Sequence, residues 1–208
     1  MGKGVMLAVM LLPGAVQSGA QSLPLPPSQL RSHSISIMGG WSAPLSHDGL
    51  TGNWGPGPGA SIEFLTAASR FLAFGFDLEG SAFWFKGPGW ANAYPSLPFR
   101  NPPVAQIVAG VVGRYTIAPG RKLTPYVGAV LGLSHVTGAE YRVDTDSGRV
   151  SYYYIPFQTR LAAAFYCGFE YRFTRSFAFD AEARAVEVID DPDVGAVAVF
   201  RGGFRFFF

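Results

Sequence analysis

Leu161-Ala162-Ala163-Ala164-Phe165-Tyr166-Cys167-Gly168-Phe169-Glu170-Tyr171-Arg172-Phe173 is the stretch of sequence that decides the fold. The odd-numbered positions are all apolar or aromatic. The even-numbered positions carry the charges of Glu170 and Arg172, together with a glycine and alanines. Because successive side chains of a strand point to opposite faces, this alternation predicts a β-strand with one continuous apolar face and one polar face.

The same period of two recurs from Ser34 to the C-terminus and predicts eight strands. They cover residues 33–42, 57–66, 70–84, 104–117, 122–136, 158–173, 176–188 and 195–208. The predicted connections alternate in length. Those at 43–56, 85–103 and 137–157 are long, and those at 67–69, 118–121 and 174–175 are short. Outer-membrane barrels have short periplasmic turns and longer extracellular loops, so this arrangement favours such a barrel.

Alternation by itself also fits a soluble antiparallel sheet, in which the apolar face forms the core. In a membrane barrel the apolar residues face lipid and the polar residues face a lumen. The long loops at one end favour the second interpretation. We therefore predict an all-β fold, an eight-stranded antiparallel up-and-down transmembrane β-barrel over residues 33–208. It has to be closed, since an open sheet edge in hydrocarbon leaves backbone groups unsatisfied.

Composition excludes several functional classes. Charged residues make up 14% of the chain, against about 25% in soluble domains. The net charge of +2 is small and the arginines are scattered, so nucleic acid is not an expected partner. The single Cys167 excludes an intramolecular disulfide and a cysteine-based zinc site. Nothing in the sequence indicates a cofactor.

The N-terminus resembles an export signal. Lys3 lies in a short basic segment, residues 5–12 are apolar, and Ser18-Gly19-Ala20 supplies the small residues that precede a cleavage site. The apolar run is too short to span a membrane as a helix. We expect a cleaved signal peptide over residues 1–20 and a Pro- and Ser-rich linker over 21–32. Together with the predicted barrel, this points to the bacterial outer membrane.

The chain ends Arg201-Gly202-Gly203-Phe204-Arg205-Phe206-Phe207-Phe208. This end resembles the C-terminal insertion signal of bacterial outer-membrane proteins, whose pattern is filled by Arg201, Gly203, Phe206 and Phe208. Thr124 to Ala129 also resembles a strand opening in small barrels of the OmpA/OmpX-like superfamily. The resemblance implies outer-membrane lipid as surroundings and recognition by the barrel-assembly machinery. We expect no peptidoglycan-binding domain, because the sequence stops at the predicted barrel.

Charged residues on the polar faces predict a network inside the lumen. An eight-stranded barrel has an interior just wide enough to be filled by side chains, and buried ions need partners. We expect a salt-bridged plug, and a narrow gated pore or a catalytic carboxylate pair are the alternatives. Six acids and six arginines form the predicted network: Glu63, Asp77, Glu79, Glu170, Asp180, Glu182, Arg114, Arg160, Arg172, Arg184, Arg201 and Arg205.

Aromatic residues near the ends of the apolar faces predict the girdles that flank the lipid-facing band of a barrel. A role in stacking against a ligand is the alternative. The predicted girdle consists of Trp41, Trp84, Tyr115, Tyr171 and Phe173. Cys167 falls on the same face and is expected to act as a small apolar filler.

Catalytic and metal sites find little support. The three histidines, His33, His47 and His135, lack the spacing of metal ligands. Small barrels that deacylate lipid A use a Ser-His-acid arrangement, which directs attention to Ser134, His135 and Glu140. Since Ser134 and His135 are adjacent on a strand, they point to opposite faces and cannot share the hydrogen bond that catalysis needs.

We therefore expect a non-enzymatic protein with a structural or surface-interaction role. Specific function is expected in the loops, where an extracellular ligand or partner would contact residues 85–103 and 137–157. The second of these reads as a hairpin with a turn at 144–148, and Tyr152-Tyr153-Tyr154 suggests an adhesive surface as well as hairpin packing. The alternatives are a small pore or hydrophobic-ligand channel and, less favoured, a lipid-modifying enzyme.

Overall fold

The structure is a computed structural model that describes residues 32–45, 54–85, 104–137, 139–144, 150–155, 157–189 and 196–208. These residues form β-strands and their connections. In chain order the strands are β1 (His33–Pro44), β2 (Trp54–Gly55), β3 (Gly57–Ala67), β4 (Leu72–Phe85), β5 (Val104–Thr116), β6 (Leu123–Val136), β7 (Ala139–Asp144), β8 (Val150–Ile155), β9 (Gln158–Arg172), β10 (Phe177–Val188) and β11 (Ala196–Phe207). The predicted signal peptide and, apart from Ser32, the predicted linker lie outside the described residues.

Eight of the strands close into an antiparallel barrel. Each of them pairs with its sequence neighbour among these eight, in the order β1, β3, β4, β5, β6, β9, β10 and β11, and β11 pairs with β1. The predicted all-β, up-and-down barrel is therefore confirmed. Each predicted strand has its counterpart, with ends that agree within two residues. No helix in the described ranges is long and apolar enough to cross a membrane.

The register shows how strongly the strands are inclined. Following paired residues around the barrel from Ser34 leads through Leu65, Gly75, Val112, Val130, Ala164, Val186 and Val197 back to β1, at Pro44. The row has climbed ten residues along β1, from position 34 to position 44. Such a stagger tilts the strands against the barrel axis, and this tilt sets the radius of an eight-stranded barrel.

The two ends of the barrel differ. At one end, which we call the turn end, three short turns join β3 to β4, β5 to β6 and β9 to β10, and both the start of β1 and Phe208 lie there. At the other end, the loop end, β7 and β8 form a separate hairpin. That hairpin continues the β6–β9 register: Val136 pairs with Gln158, and Ala139 then pairs with Ile155. The predicted hairpin within 137–157 is confirmed, and residues 145–149 at its turn lie outside the described part.

The faces of the strands are inverted relative to a soluble protein. Large apolar side chains are exposed on the outer surface, for example Phe76 at 67%, Phe165 at 71% and Leu131 at 58%. Charged side chains fill the inside, where Glu63 and Asp180 are fully buried. An exposed apolar band around a polar interior is the arrangement of a membrane barrel rather than of a soluble one.

Candidate functional site

The lumen is the candidate site, and its upper ion cluster is centred on Arg184. The guanidinium of Arg184 donates to Asp77 at 2.6 Å, to Glu79 at 3.0 Å and to Glu182 at 3.1 Å. Arg201 donates to Glu79 at 3.0 Å and to Glu182 at 2.9 Å, and it lies 3.4 Å from Asp77. Two guanidiniums therefore share three carboxylates, with all five side chains buried.

A lower ion cluster lies nearer the turn end. Arg205 donates to Glu63 at 2.6 Å and to Asp180 at 2.7 Å, and Arg114 donates to Glu170 at 2.9 Å and to Asp180 at 3.3 Å. Arg205 also donates to the hydroxyl of Ser34 at 3.0 Å. The cluster ends at Arg172, whose side chain is 27% exposed and donates to Glu170 at 2.6 Å.

Two tyrosines connect the clusters in a reciprocal way. Arg114 of the lower cluster lies over the ring of Tyr126 at 3.5 Å from the ring centre, while the Tyr126 hydroxyl donates to Glu182 of the upper cluster at 3.4 Å. Conversely, Arg184 lies 5.0 Å from the centre of the Tyr166 ring. The Tyr166 hydroxyl donates to Glu63 at 3.5 Å. The sequence places both tyrosines on the polar face but assigns them no role.

Glycines make room for these rings. A Cβ atom at Gly128 would lie 2.2 Å from the ring of Tyr166. A Cβ atom at Gly168 would lie 2.7 Å from the ring of Tyr126. Side chains are therefore excluded at both positions, and the two rings lie flat against the backbone of neighbouring strands. The alternation of Gly with polar residues on the inner face is the sequence signal for this packing.

Arg160 corrects the predicted network. By strand alternation it belongs to the inner face, but it is exposed at the loop-end start of β9, and no ion pair links it to the residues that the structure describes. The other eleven predicted residues are brought together, so six carboxylates meet five guanidiniums. The prediction was wrong for Arg160 because alternation fixes the face of a residue and not its depth in the barrel.

Above the ion clusters, the loop-end half of the lumen is mainly apolar. Its buried side chains are contributed by the loop-end halves of β4, β5, β6, β9, β10 and β11: Phe83, Val104, Val108, Val136, Ala162, Ala164, Val186, Val188, Val197 and Val199. The polar groups at this level bond to one another. Ser42 and Ser81 share a hydrogen bond of 2.7 Å, and Gln106 donates to Ser134 at 2.9 Å. The lumen is thus filled by an ionic layer below and an apolar layer above.

The predicted girdle residues lie on the outer surface at both ends. Trp41 and Trp84, 52% and 48% exposed, belong to the loop-end parts of their strands. Tyr115, Tyr171 and Phe173 lie at the turn end, where Tyr171 packs edge-on to Phe173 with ring centres 5.2 Å apart. Cys167 is also exposed on the outer surface, as its place in the alternation predicts.

The C-terminal segment divides between the two faces. Arg201 is buried in the upper cluster, whereas Phe206 and Phe208 are exposed outside. The last residue closes the barrel, since the backbone N–H of His33 donates to Phe208 at 3.1 Å and that of Phe208 donates to His33 at 2.9 Å. A Cβ atom at Gly203 would lie 2.0 Å from the carbonyl oxygen of Ile37, so this position requires glycine.

The serine and histidine considered for catalysis do not meet. The Ser134 hydroxyl is buried in the lumen beside Gln106, while the ring of His135 lies outside, with Nδ1 2.9 Å from the Thr159 hydroxyl. His33 makes a similar contact with Thr66 at 3.1 Å. The side chain of Glu140 and the whole of His47 lie outside the described residues. Within the described ranges no group of three or more His, Cys, Asp or Glu residues could hold a metal ion.

No protein-family model and no curated protein matches the sequence. Solved structures do match the fold. Neisserial surface protein A (NspA) is 16% identical, with a TM-score of 0.55 over 85% of this chain and 96% of that one. The outer membrane protein OprG from Pseudomonas aeruginosa is 13% identical, with a TM-score of 0.52 over 86% of this chain and 98% of that one. At such identities the likeness shows a shared fold, that of small outer-membrane β-barrels.

Proposed function

We propose that this chain, a barrel with the fold of small outer-membrane proteins, is a closed, non-enzymatic outer-membrane protein that acts at the cell surface through its loops. The filled lumen is the observation that carries the proposal. Five guanidiniums and six carboxylates occupy its lower part, and apolar side chains occupy its upper part. A barrel filled in this way is a rigid support, so function falls to the segments that it displays.

The outer surface supports a location in the membrane. The exposed band of Phe, Leu and Val surrounds the barrel, and aromatic residues lie at both of its ends. Such a band, flanked by aromatic girdles, is typical of outer-membrane barrels. On this proposal the turn end faces the periplasm and the loop end faces the medium.

The β7–β8 hairpin is the best candidate for surface contact among the described segments. Because it continues the register of β6 and β9, it is a direct extension of the barrel wall. Its backbone pairs place Tyr153 opposite Tyr141, and Tyr154 opposite Glu140. Aromatic residues are enriched at contact surfaces because they combine a large apolar area with a polar group.

Two measurements test this proposal. Purified protein in planar lipid bilayers should give no steady channels above an empty-detergent control, because the lumen has no open path. An epitope inserted between Ser147 and Gly148 should be labelled on intact cells, while an epitope in the turn at Pro119 should be labelled only after the cells are broken. Steady wild-type conductance would replace the closed barrel by the pore, and a labelled Pro119 epitope on intact cells would reverse the orientation.

A comparison of adhesion tests the role of the hairpin. Cells that carry the wild-type protein and cells that carry Tyr152→Ser, Tyr153→Ser and Tyr154→Ser are compared on bare and on protein-coated surfaces. Lower adhesion of the variant, at equal amounts of heat-modifiable protein in the outer membrane, supports surface contact through these tyrosines. Equal adhesion on every surface contradicts it and leaves a purely structural role.

A further inference from the structure

The turn end carries a crown of basic residues without acidic neighbours. Arg70 lies in the turn between β3 and β4, Arg121 and Lys122 in the turn between β5 and β6, and Arg175 in the turn between β9 and β10. All four side chains are exposed. The turn segments 68–71, 117–122 and 173–176 contain no Asp or Glu. Each short turn therefore contributes positive charge, and none contributes a compensating negative one.

Aromatic rings lie directly beside this basic crown. Arg70 lies over the ring of Phe71 at 4.5 Å from its centre, and Lys122 lies over Tyr171 at 5.0 Å. Phe71 in turn stacks against Tyr115 on the outer surface, with ring centres 6.0 Å apart. Cations placed over aromatic rings are held at the level of the girdle, where apolar surroundings give way to water. That level is the headgroup region of a membrane.

The opposite end has the opposite charge balance in the sequence. The segments 137–157 and 190–195 carry Glu140, Asp144, Asp146, Asp190, Asp191 and Asp193, against Arg142 and Arg149. The small net charge of +2 thus conceals a strong asymmetry between the two ends. Positive charge is not spread over the protein as a means of solubility but is collected at the turn end.

We propose that the basic crown of Arg70, Arg121, Lys122 and Arg175 is a docking surface for anionic phospholipids, whose headgroup phosphates these side chains bind. The crown follows the rim of the barrel on three separate turns, whereas a single soluble anion would contact one turn. Only a partner that surrounds the barrel reaches all of them, and lipid headgroups do. The inference rests on the proposed function for its placement of the turn end at a membrane surface.

Lipid selectivity tests the proposal directly. The full chain is reconstituted in phosphatidylcholine nanodiscs that contain spin-labelled phosphatidylglycerol or spin-labelled phosphatidylcholine, and the fraction of motionally restricted label is measured. Wild type should prefer the anionic lipid by about fivefold or more, since each Lys or Arg near an anionic surface contributes on the order of one such factor. The variant with Arg70→Gln, Arg121→Gln, Lys122→Gln and Arg175→Gln should lose most of this preference.

A matched control removes equal charge from the other end. The variant with Lys86→Gln, Arg100→Gln, Arg142→Gln and Arg149→Gln should keep the wild-type preference. Unchanged selectivity in the crown variant, or an equal loss in the control, overturns the proposal; the first result would direct the search to a soluble acidic partner. Should the crown variant not fold, the Arg70→Gln/Arg121→Gln and Lys122→Gln/Arg175→Gln pairs should each lose part of the preference, and two unchanged pairs overturn it.

Inorganic phosphate separates the lipid from a free anion. At equal ionic strength, phosphate and chloride should weaken the preference for phosphatidylglycerol to the same extent, because both act by screening. A much stronger effect of phosphate would show a site for the free anion and overturn the lipid surface. Bilayer conductance is independent of these measurements, so a failure of the closed-barrel proposal is recognised separately.

Discussion

Arg184 is the residue whose removal should damage the lumen most clearly. Its guanidinium is fully buried and contacts Asp77, Glu79 and Glu182 at 2.6, 3.0 and 3.1 Å. In Arg184→Met the apolar stem is retained and the charge is lost. Glu79 and Glu182 keep Arg201 as a partner, but Asp77 keeps only its 3.4 Å contact with that residue. One buried carboxylate is therefore left nearly unpaired.

The expected cost is about 3–5 kcal/mol of the free energy of unfolding, the usual result of breaking a buried ion pair from one side. Water that enters from the turn end would lower this figure. The compensating variant adds Asp77→Leu and so removes the stranded carboxylate together with its partner. Replacing both ions by apolar groups of similar size should cost less than Arg184→Met alone.

Equilibrium unfolding in phosphatidylcholine vesicles measures these differences, with heat-modifiable gel mobility as the probe of the folded barrel. Wild type, both single variants and the double variant complete a cycle, which isolates the coupling between the two residues. Arg184→Lys is the control, since it retains the charge but not the three-way geometry. A double variant that is less stable than Arg184→Met would refute the reasoning, as would a cost of Arg184→Met below about 1 kcal/mol.

Three further predictions concern the wall of the barrel. Deleting Phe208 should lower the amount of protein in the outer membrane and increase its periplasmic degradation, because the residue pairs with His33 at the closing seam; Phe208→Tyr is the control, and an unchanged yield contradicts an insertion signal at this position. Cys167→Arg should destabilise the barrel in vesicles by about 2–4 kcal/mol if the outer surface meets lipid, whereas Ala68→Arg in an exposed turn should not, and equal unfolding free energies would show that the faces are misassigned. Gly203→Ala should impair refolding of the purified protein, because its Cβ would meet the Ile37 carbonyl oxygen, while Gly80→Ala, with nothing within 4 Å of its Cβ, should refold normally; normal refolding of both would leave Gly203 a role only in recognition by the assembly machinery.

Much of the fold could be predicted because one physical rule governs every barrel strand. In β9, from Leu161 to Arg172, each position is assigned to a face by parity alone, and the structure agrees. The two-residue strand β2, at Trp54 and Gly55, was not predicted, because two residues have no period and pair with β4 only through tertiary contact. Strand ends also shifted slightly, since capping by turns is decided outside the alternating pattern.

The lumen could be predicted only in part. Parity places Arg184 and Asp77 inside, and the low polarity of the surroundings requires them to pair. Parity does not give depth, so Arg160 was included although it lies exposed at the loop end. The rule that apolar residues face outward gives no reason to expect Val108 and Val199 in the lumen, because in an eight-stranded barrel the interior is a packed core as well as a polar one.

The apolar layer suggests that closure depends on more than the ion pairs, and the access of water to the lumen tests this directly. Ser36 is fully buried and its hydroxyl has no partner among the described residues, so Ser36→Cys is a small change. In a Cys167→Ala background it should react with a small methanethiosulfonate reagent far more slowly than Ala68→Cys, which lies in an exposed turn.

Arg184→Met should leave Ser36→Cys protected from reagent added at the loop end, because the valine layer is intact above the cluster. Val130→Gly together with Val199→Gly should expose it, because the layer itself is then opened. Rapid labelling of Ser36→Cys in the otherwise unchanged barrel would show that water reaches the interior. The packing of Val130 and Val199 would then not close the lumen, and the ion clusters would line a channel rather than a plug.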